Sequence, residues 1–197
     1  MKIQIGNPLP VRVLAFDFET LATGFADPAW VPQVPTVISA SWIGEDEIHT
    51  FSSIDYTDAV MPHIRKPAIG MMLMNFLRLY DEADAVSFHN GRRFDQPVLN
   101  GACWYVGLPK ISPKLTYDTI DLGKVKGVKK GQDNIGILLR TPVHKLSLNH
   151  EEWIDAYNEP DWGTVKERCS SDVIQHKLIR AEMERRGWLA PPRMWKP

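Results

Sequence analysis

A pair of carboxylates at the end of the first apolar segment is the first feature that could do chemistry. Phe16-Asp17-Phe18-Glu19-Thr20 contains the pair. In an extended segment, residues i and i+2 project from the same face, so Asp17 and Glu19 present two carboxylates side by side. Two like charges this close repel each other unless a cation lies between them. Hard ions such as Mg²⁺ bind such oxygen ligands, so the pair is either a divalent metal site or an instance of the Asp-x-Glu pattern that is common at strand ends.

Two further segments carry acids in informative positions. His89-Asn90-Gly91-Arg92-Arg93-Phe94-Asp95 follows a short apolar run. Asp95 is placed either to cap a helix, or to bind a metal ion at the carboxyl end of a strand, where open α/β sheets have their sites. Asp172, in Arg168-Cys169-Ser170-Ser171-Asp172-Val173, has apolar neighbours. It is either a partly buried acid that needs a partner or an exposed acid on a helix surface.

The elements that must position these acids follow an α/β pattern. Apolar runs predict strands over 11–17, 37–43, 85–88 and 115–117, with 48–51 completing a hairpin. Apolar residues at helical spacing predict helices over 68–80, 98–106 and 165–183, and 119–122 reads as a helical turn. We expect one domain over residues 1–197, with a core of about 11–186 and a short Pro-rich C-terminal tail.

Composition excludes several classes of protein. With 197 residues, 44% of them hydrophobic, the chain is globular rather than disordered, collagen-like or coiled coil. A formal net charge of −1 excludes binding of nucleic acid or an anionic membrane by bulk positive charge. Cys103 and Cys169 lie too far apart in sequence to indicate a zinc motif. The sequence has no signal-peptide pattern and no apolar stretch long enough to span a bilayer, so we expect a cytoplasmic protein without a membrane partner.

In their order and context, the three acidic segments together resemble the three motifs of the DEDD superfamily of 3′–5′ exonucleases. The nearest likeness is to the proofreading domain of family-B DNA polymerases and to stand-alone, phage-type exonucleases. The resemblance runs from about Val11 to Glu184, and segments 117–122 and 145–148 also match comparable segments of such proteins. It implies a ribonuclease-H-like α/β fold, with a mixed five-stranded sheet flanked by helices.

The resemblance also implies a reaction and its residues. It implies removal of nucleotides from the 3′ end of single-stranded DNA, with two Mg²⁺ or Mn²⁺ ions held by four acids: Asp17, Glu19, Asp95 and Asp172. The residues implied to bind the terminal nucleotide are Phe18, Thr20, Leu21 and Asn90. Because no polymerase domain is evident in the sequence, we expect any proofreading to serve a separate DNA polymerase. A ribonuclease or oligoribonuclease of the same superfamily, and a catalytically weak nucleic-acid-binding accessory module, are the alternatives.

The third motif departs from the family pattern. That motif usually has Tyr four residues before its Asp or His five residues before, whereas this chain has Arg168 and Glu167. Arginine is not a base at physiological pH, so we expect Arg168 either to grip the scissile phosphate or to pair with Asp172 across one helical turn. Glu167 is a candidate base in its place. His176 is another, although we expect it on the surface.

Basic residues cluster between Lys110 and Lys145, where the sequence has eight Lys and Arg residues and three acids. The excess predicts either a track for the phosphates of single-stranded nucleic acid or, for 124–130, a solvated loop. Trp153 and Trp162 flank this region and could stack on bases, but packing is the favoured interpretation.

Overall fold

In the part of the chain that the structure describes, six strands form a single mixed sheet. The computed structural model of the chain describes residues 11–20, 33–57, 65–122 and 125–197. The strands are β1 (Val13–Glu19), β2 (Val37–Trp42), β3 (His49–Ser52), β4 (Ala85–Phe88), β5 (Lys114–Asp118) and β6 (Arg193–Trp195). The helices are α1 (Lys66–Glu82), α2 (Asp95–Val106), α3 (Gln132–Leu139), α4 (His150–Asn158) and α5 (Gly163–Arg185), with a 3₁₀ turn at Ser53–Tyr56.

The strand order is β3-β2-β1-β4-β5-β6. β1, β4 and β5 run parallel, whereas β2, β3 and β6 pair antiparallel with their neighbours. The carboxyl ends of the three parallel strands therefore meet at one edge of the sheet. This confirms the predicted mixed α/β, ribonuclease-H-like class. The sheet has six strands rather than five because 193–195, expected to be tail, pair with the edge of β5.

Side chains along β1 point alternately into the hydrophobic core and toward the face that carries the acids. Leu14, Phe16 and Phe18 face α1 and α2 and join the main hydrophobic core. Since successive strand residues point to opposite faces, Asp17 and Glu19 share the other face. α5 lies on that face, and the Cys169 thiol donates to the Asp17 carbonyl at 3.4 Å.

A cluster of hydroxyl groups sets α5 on the sheet. The Ser170 Oγ lies 3.1 Å from the Ser39 Oγ of β2 and 3.1 Å from the Thr50 Oγ1 of β3. Trp162, just before the helix, is buried with Val165 in a second apolar cluster, so packing was the right interpretation for this tryptophan. These contacts fix the rotation of α5 and thereby aim Asp172, two residues beyond Ser170, at β1.

Several boundaries differ from the sequence prediction. α3 and α4 lie in the part predicted to be irregular, and α4 begins with a capping box between Asn149 and Glu152. Residues 119–122 contain a turn, as predicted. α2 begins at Asp95 itself, which is therefore the first helical residue and not the N-cap. Within the described ranges, none of the helices combines the length and the apolar character needed to cross a membrane.

Candidate metal centre

Three carboxylates meet at the carboxyl edge of the sheet. Asp17 and Glu19 come from β1 and Asp172 from α5, and one oxygen from each lies within 4.8 Å of the other two. The Asp172 side chain is fully buried, so of its two sequence interpretations the buried acid that needs a partner is the right one. This triad could hold a metal ion, because clustered carboxylate oxygens are the donors that hard divalent cations prefer.

The electrostatics of the triad are unfavourable without a cation. Burial raises the pKa of Asp17 well above its ordinary value, and the charges of Asp95, Asp172 and Glu19 raise it further. Burial also raises the pKa of Glu19, against the opposing effect of Arg168 and Lys145. Such shifts mean that the charged forms are poorly stabilised here by solvent, and that a bound cation would compensate them.

Asp95 lies beside the triad as a fourth acid. It is buried at the start of α2, and its oxygens are outside the group that lies within 4.8 Å. Burial, followed by the charges of Asp118 and Glu19, raises its pKa to about 8. Among the described residues, neither Asp95 Oδ1 nor Asp172 Oδ1 has a hydrogen-bond partner. One orphaned, buried carboxylate oxygen within the triad and one beside it fit a hard divalent cation such as Mg²⁺ or Mn²⁺.

Lys145 is the site residue that sequence reasoning did not single out. Its ammonium group pairs with Asp172 Oδ2. Burial alone would lower the pKa of Lys145, but the pairing with Asp172 raises it overall. The backbone N–H of Lys145 donates to Asp133 Oδ1 at 3.3 Å, which fixes the loop after α3. The available signal was the segment 145–148, which the sequence resemblance included without assigning it a role.

Arg168 pairs with Glu19, not with Asp172. Its Nε donates to Glu19 Oε1 at 2.8 Å and its Nη1 to the Leu146 carbonyl at 2.6 Å. The guanidinium carbon lies 5.1 Å from the centre of the Trp153 ring. The expected ion pair one helical turn along α5 is therefore wrong, because Lys145 already occupies Asp172. Trp153 packs on this arginine rather than standing free.

A cavity of about 300 Å³ opens beside Arg168 and Glu19. Its walls come from β1 and the start of α4, and comprise Glu19, Thr20, Leu148, Asn149, His150, Trp153 and Arg168. The cavity therefore adjoins the triad and exposes both a carboxylate and a guanidinium to an entering ligand.

The loop after β4 is held by Asp118, a second residue that sequence reasoning passed over. Asn90 has a φ of 64°, in the left-handed region, and its backbone N–H donates to Asp118 Oδ1 at 2.6 Å. The N–H of Arg92 donates to the other oxygen of Asp118 at 3.3 Å. Gly91 lies so close to the Phe88 ring that a side chain would clash. The loop thus reaches Asp95 in one defined conformation.

The residues expected to bind the terminal nucleotide are distributed differently. Phe18 is 4% exposed, and its ring centre lies 5.8 Å from that of Phe94, which is 39% exposed. The Thr20 hydroxyl accepts a hydrogen bond from Gln33 Nε2 at 2.9 Å. Leu21 lies outside the described residues. Of this aromatic pair, Phe94 offers the ring surface to a ligand.

The two other candidate bases lie in different surroundings. His176 is buried, not on the surface as expected, and its Nε2 lies 2.9 Å from the Ser87 hydroxyl. Burial lowers its pKa to about 3, so the ring stays neutral at physiological pH. Glu167 is exposed on α5.

The basic stretch between Lys110 and Lys145 does not form one continuous surface. Lys114 is nearly buried, and its Nζ donates to the carbonyls of Asp81 and Ala83 at the amino end of the parallel strands. Lys145 belongs to the acidic centre. Lys124 lies outside the described residues. Only part of this stretch can therefore act as a phosphate track.

Comparison with known proteins adds information about the fold. No protein-family model matches the sequence, and no curated protein matches it. Among solved structures, the family B DNA polymerase from the hyperthermophilic archaeon Pyrobaculum calidifontis is similar, with a TM-score of 0.66 at 17% identity. The match covers 90% of this chain and 25% of the polymerase chain, so the chain spans about a quarter of that protein's length. At this identity the likeness shows a shared fold, within which this chain carries an acidic triad.

Proposed function

We propose that this protein is a metal-dependent 3′–5′ exonuclease that removes nucleotides from single-stranded DNA ends. The observation that carries the proposal is the convergence of Asp17, Glu19 and Asp172 within 4.8 Å at the carboxyl edge of the sheet. The orphaned oxygen of buried Asp95 beside them supports it. Similarity of fold to a DNA polymerase supports nucleic acid as the substrate class.

The four acids Asp17, Glu19, Asp95 and Asp172 would hold two divalent ions, Mg²⁺ or Mn²⁺. When bound, such ions make water a stronger nucleophile and offset the charge that develops on the attacking and leaving oxygens of a phosphodiester. The acids themselves must be ionised to bind, and burial opposes this for all four. Binding of divalent ions by these acids would therefore be coupled to proton release.

Arg168 and Lys145 bring positive charge to the same edge. Arg168 offers several guanidinium N–H donors and no acceptor, so its role is to bind the scissile phosphate rather than to act as a base. Its contacts with Glu19, the Leu146 carbonyl and Trp153 hold the guanidinium at the wall of the cavity. A phosphate oxygen would accept from it as the Glu19 carboxylate does now. Lys145, paired with Asp172, would face the same phosphate group.

The terminal nucleoside would be held by groups around the triad. Phe94 offers a partly exposed ring for stacking, and Phe18 supports that ring from the core. Stacking of a base on an aromatic ring tolerates any sequence, as an exonuclease requires. Thr20, at the wall of the cavity, and Asn90, fixed by Asp118, would contact the sugar-phosphate of the terminal residue.

Shortening of a single-stranded oligonucleotide tests the proposal. We expect a 5′-labelled DNA strand to yield a ladder of shorter labelled products with Mg²⁺ or Mn²⁺, and no products in EDTA. Asp17→Ala should abolish the ladder, whereas Asp155→Ala, on the exposed face of α4, should not. Release of the label as a mononucleotide without a ladder would show the opposite polarity. Equal shortening by Asp17→Ala would refute the assignment of the acids.

The same assay separates the alternatives. Faster shortening of all-RNA strands or of dinucleotides would favour a ribonuclease or oligoribonuclease. Tight binding of single strands without turnover in either metal would favour an accessory module, for which the replacement of the usual Tyr by Arg168 is the motivation.

We also propose proofreading for a separate polymerase, tested by extension of a mismatched primer with an exonuclease-deficient polymerase. No increase in extension when this protein is added would contradict that role.

A further inference from the structure

A lysine-rich loop lies beside the acidic centre and takes no part in it. This loop, residues 125–131, leads into α3 and contains Lys126, Lys129 and Lys130, all three exposed. From residue 122 to residue 132 the sequence has no acid. Within the described residues, none of the three lysine side chains forms an ion pair. The loop therefore carries uncompensated positive charge on a chain whose overall formal charge is −1.

Two hydrogen bonds, one from the loop and one from the first residue of α3, fix the end of this loop to the elements of the acidic centre. His89, next to Asn90, lies with its Nε2 2.8 Å from the Lys130 carbonyl. Gln132 Nε2 donates to the Asp172 carbonyl at 2.7 Å. The loop thus ends within two residues of a contact with a triad member. These contacts hold the end of the loop, at Lys130, near Asp172.

We propose that the lysine-rich loop is a binding site for the phosphate backbone of the single strand beyond the scissile bond. The inference rests on the proposed exonuclease function and names a second contact surface for its substrate. The ligand chemistry is a row of phosphate monoanions, because three exposed ammonium groups within five residues recognise charge and not base identity. Lys126 and Lys129 flank Gly127, whose φ of 79° turns the backbone between them.

The position of the lysine-rich loop adds positive charge beside the acidic centre. The metal-free centre offers little positive charge to an approaching polyanion, because Lys145 and Arg168, the cations paired with its acids among the described residues, are occupied by Asp172 and Glu19. Uncompensated lysines at the rim attract the strand before the centre is loaded, and they raise its local concentration. Lys110 and Lys114 of the predicted basic track do not contribute, since they lie toward the amino end of the parallel strands.

The test is single-strand binding as a function of salt, measured in EDTA so that it does not depend on catalysis. The probe is a fluorescein-labelled oligothymidylate of about 20 nucleotides, longer than one typical single-strand site. The loop variant is Lys126→Gln/Lys129→Gln/Lys130→Gln. The matched control, Arg78→Gln/Lys110→Gln/Lys196→Gln, removes the same charge from three exposed residues near the opposite edge of the sheet.

We expect the loop variant to reduce the slope of log K against log salt concentration by about 2 in magnitude, since each phosphate contact with a single strand contributes about 0.7 to that slope. Affinity at low salt should fall at least about tenfold. The control should keep the wild-type slope. Equal changes in both variants, or an unchanged slope in the loop variant, would overturn the proposal.

Parallel measurement of strand shortening with Mn²⁺ keeps the two proposals apart. If wild type shortens DNA and both variants bind alike, the loop site is wrong and the exonuclease stands. If wild type does not shorten DNA but the slope changes only in the loop variant, the exonuclease is wrong and the loop site stands.

Discussion

Replacement of Asp95 by Asn should make the metal-free protein less sensitive to pH. Asp95 is buried, and its pKa is raised to about 8 from an ordinary value of 3.8. Between these two values the folded protein binds the proton and the unfolded chain does not. The free energy of unfolding therefore falls as pH rises through this window, by about 1.4 kcal/mol per pH unit for one such group. From pH 5 to pH 7 the loss from Asp95 amounts to about 2–3 kcal/mol.

Urea denaturation in EDTA at pH 5, 6 and 7 measures this loss, with the seven tryptophans as the fluorescence signal. Asn resembles the protonated carboxyl in shape but does not titrate. We expect Asp95→Asn to lose less stability than wild type over the interval, by about 2–3 kcal/mol. Asp17 also has a raised pKa, so some dependence should remain in the variant. Asp155→Asn, at an exposed site, is the charge-matched control.

A variant slope equal to that of wild type would refute the reasoning. It would mean that Asp95 is ionised at neutral pH in the folded protein, held by a partner other than a metal ion. An equal reduction of the slope by Asp155→Asn would attribute the effect to overall charge instead of to burial.

Three further predictions follow from the same contacts. Lys145→Met should lower the free energy of unfolding of the metal-free protein, measured by urea denaturation, by about 2–3 kcal/mol, because Asp172 stays buried and loses its partner. The control Lys166→Met breaks a more exposed pair and should lower it by under about 1 kcal/mol. Gly91→Ala should cost at least about 2 kcal/mol through a clash with Phe88, whereas Gly101→Ala, in open space on α2, should raise the unfolding midpoint slightly. Mn²⁺ should raise the thermal midpoint more at pH 8 than at pH 6, since protons compete for the acids; an equal rise at both values would contradict this.

The spacing rules predicted the part of the site that depends on local geometry. Asp17 and Glu19 share one face of β1 because strand residues alternate, and this holds whatever the strand packs against. The apolar neighbours of Asp172 correctly indicated burial, because they fix which side of α5 faces the sheet. Strand and helix types were predictable where the apolar pattern is strong, as in β4 and α1.

The partners of these acids were not predictable in this way. Lys145 reaches Asp172 from a loop that has no periodicity, so only the folded path of that loop brings them together. Arg168 had two acids within reach, and the choice of Glu19 depends on Lys145 having occupied Asp172. β6 pairs with a strand about 80 residues earlier, and no local signal marks such an edge.

The metal-free centre is therefore a compromise that the sequence could not reveal from its acids alone. Lys145 and Arg168 each neutralise one carboxylate, which lets the acids be buried together while no ion is present. In the proposed metal-bound state, the same two groups would release those oxygens or share them. The proposed centre would then bind metal less tightly than four free carboxylates, and the released cations would become available to a phosphate. Arg168 suits such an exchange, because a guanidinium can pair with a carboxylate in one state and with a phosphate in the other.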